Sequence, residues 1–237
     1  MKRTLPRLAA GAIALSFAAA ACTGAGTSSA SPSKAPTTAP SAAASAAASA
    51  SPAAAAATSV SKAADLRTAL NLLLLDHVYL TGATTNQAIL GNDAGFKAAA
   101  ATLDKNTVGL GDAIGSVYGD AAKTTFLELW RKHIGFFVSY TQAAAKGDAA
   151  GKAKATADLD GYRKDFDAFI TGANPNLPKG AVADLLVKHV TGIEAFIDAQ
   201  VAKDATIYDK VMTAASHSQK IADPLAEAIV KQFPAKF

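Results

Sequence analysis

A repeat of 56 residues is the feature that most constrains the fold of this chain. Three segments align without gaps, and each carries a histidine at the same position: His77, His133 and His189. A leucine stands four residues before each histidine, and a β-branched residue follows it directly. Agreement at one fixed period is the sequence signature of tandem structural units. We therefore expect three copies of one supersecondary unit.

Each unit has the pattern of a helical hairpin. Ala, Leu and Lys, which favour helices, dominate the repeats, and sustained strand alternation is absent. Fifteen residues after each histidine stands a good helix N-cap, namely Asn92, Asp148 or Asp204. The pattern predicts an all-α antiparallel bundle of about six helices, with units at about 65–120, 121–176 and 177–237. A closed bundle and an open solenoid both fit, and Pro224 should kink or restart the last helix.

The N-terminus has the features of a bacterial export signal. Lys2, Arg3 and Arg7 precede an uncharged run of 14 residues, which is too short to cross a bilayer. We expect residues 1–21 to be a signal peptide and Cys22, the only cysteine, to be the lipidated residue of a lipoprotein. The segment resembles the four-residue motif, ending in Cys, of bacterial lipoproteins, with one departure. Ala19 stands where that motif usually has Leu, so simple secretion after ordinary cleavage is the alternative. The mature protein would be anchored on the extracytoplasmic side of the cell membrane.

The linker and the charge balance limit the partners. Residues 23–58 are almost entirely Ala, Ser, Thr, Pro and Gly, so 22–58 is predicted to be a lipidated cysteine and a disordered linker before a domain at 59–237. Four of the 23 basic residues precede that domain, and the remaining 19 match its 19 acids. A formally neutral domain lacks the basic surface that nucleic-acid binding requires.

The histidines are the candidate ligands. All three repeat histidines lie on apolar helix stripes, so they should point inward, toward the hairpin partner or the bundle axis. The antiparallel register also places His217 opposite His189, and two facing imidazoles could bind Zn, Cu(II), Ni or a haem iron. The competing interpretation is structural: inherited core histidines that bond to a hydroxyl or amide opposite, which the register identifies as Asn106, Tyr162 and Ser218.

Other constellations are weak. The acids Asp158, Asp160, Asp165 and Asp167 share a helix with Arg163 and Lys164, which predicts a solvated, salt-bridged face. The aromatics of the middle hairpin around Trp130 are expected in the core. Nucleophile elbows, phosphate loops and metalloprotease motifs are missing from the sequence, so we expect no enzyme.

One resemblance covers the whole helical region. Segments 126–141, 113–119 and 221–225 carry it, through residues that include Trp130, His133, Phe137, Tyr140, Tyr118 and Pro224. They resemble a family of uncharacterised secreted helical proteins of Gram-positive bacteria, sometimes labelled copper amine oxidase-like through an attached domain. The resemblance implies an envelope location and little chemistry. Relatives often have Met after the histidine that matches His217, whereas this chain has Ser218.

The sequence therefore predicts a non-enzymatic cell-envelope lipoprotein whose helical domain binds a small ligand or an envelope protein. The alternative is an extracytoplasmic metal- or haem-binding protein that uses His189 and His217, together with His77 and His133.

Overall fold

A computed structural model describes residues 61–237, and these residues form a bundle of six helices, without a strand in that range. The predicted signal peptide (1–21) and the whole predicted segment of lipidated cysteine and linker (22–58) lie outside the described residues. The helices are α1 (Lys62–Ile89), α2 (Asp93–Tyr118), α3 (Asp120–Lys146), α4 (Ala149–Ala173), α5 (Ala181–Ala202) and α6 (Ile207–Gln232). The all-α prediction is confirmed. None of the described helices is both long and apolar enough to cross a membrane.

The three hairpins close into a ring. Helices α1 and α2, α3 and α4, and α5 and α6 pack as pairs, and α6 also packs extensively against α1. Short connections make successive helices antiparallel, so α1, α3 and α5 all run in the same direction. Each of these three also contacts the other two, whereas α2, α4 and α6 lie between them on the outside. The bundle is therefore closed, with approximate threefold symmetry about an axis inside α1, α3 and α5.

Local sequence sets the turns between helices. Asn92 and Asp148 cap α2 and α4 by accepting the backbone N–H three residues later, as predicted. In the third unit Thr206 is the residue at the N-cap of α6, and Asp204 accepts its N–H instead. The predicted cap at Asp204 is therefore displaced by two residues. Lys203, directly before Asp204, adopts the left-handed conformation with φ of 54°. The equivalent residues of the first two units are Gly91 and Gly147.

Asp167 corrects the prediction of a fully solvated acidic face. Asp158 and Asp160 do form surface ion pairs, with Lys154 and Arg163. Asp167, however, is buried, and its carboxylate accepts the backbone N–H groups of the first turn of α5 and the residue before it: Gly180, Val182 and Ala183. Gly180 has no side chain to cap α5, so α4 supplies the cap from outside the helix.

Helix α6 continues through Pro224 from Ile207 to Gln232, so the prediction of a restart is wrong. Proline removes the bond to the carbonyl of Lys220, which lies on the exposed side of the helix. Water can satisfy that carbonyl, and the flanking residues Ile221 and Ala226 remain buried in the core. Packing of α6 against α1 therefore outweighs the local cost of the proline.

Candidate metal centre

The approximate threefold symmetry brings the three repeat histidines together on the axis. His77, His133 and His189 each have at most 4 % of their surface exposed. One ring nitrogen from each lies within 4.8 Å of the corresponding nitrogens of the other two. The Nε2 atoms of His77 and His133 are 3.4 Å apart. The rings of His77 and His189 stack at 5.7 Å between centroids.

The histidines form a polar layer between two apolar ones. Toward one end of the bundle lie core residues such as Leu74, Phe126 and Leu186. Toward the other end lie core residues such as Phe137 and Ile193. The order apolar, histidine, apolar recurs along α1, α3 and α5, because the repeat sets the same residue types at the same height of three parallel helices.

Aromatic rings enclose this layer. Trp130 meets His133 edge-on at 4.6 Å and His77 at 5.0 Å between centroids. Tyr162 stacks on His133 at 4.7 Å with an interplanar angle of 17°. Phe137 meets the edges of His133 and His189. The middle-hairpin aromatics Trp130 and Phe137 are core residues, as expected, and they pack directly against the imidazoles.

The partners expected from a purely structural role do not bond to the histidines. Asn106 donates to the carbonyl of Leu73, and Ser218 donates to the carbonyl of Leu74 at 3.4 Å. The hydroxyl of Tyr162 is buried without a hydrogen-bond partner. The sequence register thus identified the facing residues, but their polar groups are used elsewhere or left unpaired.

Six polar atoms of this layer lack a hydrogen-bond partner among the described residues. They are the Tyr162 hydroxyl, Trp130 Nε1, Asn106 Oδ1 and the Nδ1 atoms of His77, His133 and His189. Burying such a group without a partner costs roughly 1–3 kcal/mol. Their concentration at one height of the bundle marks this layer as different from the rest of the core.

The imidazoles are held neutral by their surroundings. Burial, then repulsion from His133 and His189, lowers the pKa of His77 well below its usual value. Burial and His189 lower the pKa of His133 to about 3, although the Trp130 backbone opposes the shift. Burial, then repulsion from His217, lowers the pKa of His189 to about 4. Neutral imidazole is the form that binds metal ions.

An apolar cavity adjoins the layer. His189, Trp130 and Ser218 line it together with leucine, isoleucine and phenylalanine side chains. The volume open to the centre of a water molecule is about 40 Å³. Since one water needs about 10–15 Å³ on this measure, the cavity has room for a few small molecules.

His217 is not part of the three-histidine cluster. It is half-buried, and its Nε2 lies 3.3 Å from the carbonyl oxygen of Leu185. The surface pocket beside it contains Lys188 and Lys220. Sequence reasoning paired His189 with His217 across one hairpin, whereas the structure assembles His189 with the equivalent residues of the other two hairpins.

Neither family models, curated proteins nor solved structures give a match to this chain. The chemistry of the site therefore has to be argued from its own geometry.

Proposed function

We propose that the chain is a cell-envelope lipoprotein whose helical domain binds a transition-metal ion through His77, His133 and His189. Cys22 would hold it to the extracytoplasmic face of the membrane through its lipid. The function is binding rather than catalysis. The convergence of three buried, neutral imidazoles is the observation that supports this proposal.

The spacing suits a metal ion. Imidazole nitrogens bind zinc at about 2.0–2.1 Å, so two ligands of a tetrahedral ion lie about 3.3 Å apart. The Nε2 atoms of His77 and His133 are 3.4 Å apart before any adjustment. The remaining separations, up to 4.8 Å, require a shift of roughly 1 Å or somewhat more, within reach of small ring rotations.

Hydrogen bonds among the three imidazoles cannot give all three converging nitrogens a partner. A proton between two converging imidazole nitrogens can serve one pair and leaves the third nitrogen without a partner. An ion at the centre contacts all three at once. All-nitrogen coordination suits Zn²⁺, Cu²⁺ and Ni²⁺. A haem would need a slot for the porphyrin, and the 40 Å³ cavity beside His189 is far too small.

Metal retention by matched variants tests the site. The full chain with Cys22→Ser, purified without an affinity tag, removes the competing thiol. Trp130, the only tryptophan, makes its fluorescence a direct report on the site. We expect one Zn²⁺ or Cu²⁺ per chain, with quenching by Cu²⁺. His77→Gln, His133→Gln and His189→Gln should each weaken binding at least 100-fold.

His217→Gln is the matched control, because His217 lies outside the cluster. Unchanged binding in this variant supports the three-histidine site. Loss of binding in His189→Gln and His217→Gln, with His77→Gln unaffected, would instead support the facing pair. Absence of binding in the parent chain, with destabilisation by the cluster substitutions, would return the histidines to a structural role.

Membrane anchoring needs its own experiment. Cells expressing the chain should incorporate labelled palmitate into it, and the protein should sediment with membranes. Cys22→Ala should abolish both. Release of the unsubstituted protein into the medium without label would favour simple secretion.

A further inference from the structure

The three-histidine site offers a metal ion only neutral ligands. Burial holds each imidazole in its neutral form, which binds metal but brings no negative charge. Tyr162, which stacks on His133, is ionisable as well, but burial raises the pKa of its hydroxyl well above the usual value. An ion bound by these imidazoles therefore keeps its full charge.

The carboxylates that could balance that charge lie elsewhere. Asp167 is the only buried acid among residues 61–237, and the N–H groups at the start of α5 occupy its oxygens. The charged groups placed beside His189 are basic instead. His217 repels a proton on the His189 imidazole, and it shares a surface pocket with Lys188 and Lys220. This side of the site thus opposes added positive charge.

Positive charge is costly at this depth in the bundle. The three histidines each have at most 4 % of their surface exposed, so bulk water cannot solvate an ion between them. The cost of taking an ion out of water rises with the square of its charge, so a divalent ion costs about four times as much as a monovalent ion of equal size. Attraction to neutral imidazole dipoles rises only in proportion to the charge. The surroundings therefore favour the lower charge.

Three nitrogen ligands also complete the coordination of a monovalent ion with a filled d shell. Such ions are stable with three ligands, whereas Zn²⁺ held by three protein ligands takes a fourth from outside. With metal–nitrogen distances of about 2.0 Å, three ligands at 120° lie about 3.5 Å apart, close to the 3.4 Å between the Nε2 atoms of His77 and His133. Met212 has the only sulfur among residues 61–237, and it is exposed on α6, so the ligands are nitrogens alone.

We propose that the ion of this site is Cu⁺, held in a three-coordinate arrangement by His77, His133 and His189 alone. This inference rests on the proposed metal site and specifies the charge of its ion. Selectivity over Zn²⁺ comes from the surroundings, which supply neither a counter-charge nor a fourth ligand. Ag⁺ has the same charge and also a filled d shell, and it keeps its oxidation state in air, so it is a second probe of the same property.

Anaerobic competition between Cu⁺ and Zn²⁺ on the full chain with Cys22→Ser tests the inference. Cu⁺ is supplied as such, buffered by a chelator of known affinity, and Ag⁺ is titrated separately in chloride-free buffer. We expect one Cu⁺ per chain and a Kd at least about 100-fold lower for Cu⁺ than for Zn²⁺. X-ray absorption of the Cu⁺-loaded chain should show three nitrogen neighbours.

A matched pair of variants separates the charge of the surroundings from the preference of imidazole itself. Asn106→Asp places a carboxylate in the histidine layer at nearly constant volume, and Gln142→Glu adds the same charge on the exposed face of α3. Asn106→Asp should shift the ratio of the two Kd values toward Zn²⁺ by about 10-fold or more, and Gln142→Glu should leave it unchanged.

The outcomes distinguish this inference from the proposed function. A parent chain that binds Zn²⁺ through the three histidines as tightly as Cu⁺, or a fourth neighbour on Cu⁺, would overturn the inference and leave the metal site standing. An unchanged ratio in Asn106→Asp would also overturn it, because charge would not then control the choice of ion. A chain that binds none of the three ions would overturn the proposed function first.

Discussion

Acid should unfold this domain through its buried histidines. The pKa values of His133 and His189 fall from 6.5 to about 3 and about 4 in the folded protein, and that of His77 falls in the same direction. Between these values and 6.5 the unfolded chain binds more protons than the folded one. Folding stability is therefore complete above pH 6.5 and decreases as the pH falls toward 4.

The size of the effect follows from the shifts. Between pH 7.5 and pH 5.0, each of His133 and His189 removes about 2 kcal/mol from the free energy of unfolding. Two such groups remove about 4 kcal/mol, and His77 adds a further loss of the same sign. Since a domain of this kind is stable by about 5–15 kcal/mol, unfolding near pH 4–5 is expected.

Urea titrations followed by circular dichroism at pH 7.5, 6.5, 5.5 and 5.0, in chelator, measure this slope. His133→Gln cannot take up a proton, so its slope should be smaller by about one proton, or about 1.4 kcal/mol per pH unit. A free energy of unfolding that is flat between pH 6.5 and 5.0 in the parent chain would refute the conclusion that the imidazoles are held neutral by burial.

Three further predictions concern the fold, and each is checked by the change in urea midpoint at pH 7.5. Lys203→Gly should stabilise the domain by about 0.5–1 kcal/mol, because glycine relieves the left-handed strain at φ 54° but costs chain entropy; no gain would show that the turn is relaxed. Asp167→Ala should lower the free energy of unfolding by about 2 kcal/mol, because the N–H groups at the start of α5 lose their acceptor. Asp167→Asn keeps one acceptor oxygen and should lower it less. Equal losses would contradict a capping role. Gly135→Ala should raise the free energy of unfolding by up to about 1 kcal/mol, because a Cβ there meets open space. Gly192→Ala should lower it by about 1 kcal/mol, because the new Cβ would lie 3.2 Å from the Cβ of Ala214 on α6. The reverse order of stability would refute this packing argument.

The helical hairpins could be predicted from the sequence because local signals agree. The 56-residue period, the helix-forming composition and the caps at Asn92 and Asp148 all indicate the same hairpin. The cap of α5 could not be predicted in this way. Gly180 shows from the sequence that the N-cap residue of α5 has no side chain to accept a hydrogen bond. Only the packing of α4 on α5 shows that the Asp167 carboxylate takes this role.

The candidate site was partly within reach of the sequence. Equivalent positions of His77, His133 and His189, all on apolar stripes, indicated inward-facing imidazoles. Which imidazoles meet depends on whether the ring closes, and closure depends on the packing of α6 against α1. A register argument within one hairpin cannot see that contact, so it paired His189 with His217.

The arrangement of the core also bears on why a bundle would contain these histidines. Apolar side chains of similar volume at the three positions would remove several unpaired groups, each worth roughly 1–3 kcal/mol, and would extend the two apolar core clusters into one. The bundle therefore gives up stability at this height. An ion that binds all three nitrogens would restore stability by contacting only the folded state, in which the three hairpins have closed. The metal proposal thus accounts for the three ring nitrogens that converge on the axis, whereas burial lowers the imidazole pKa values whether or not an ion is bound.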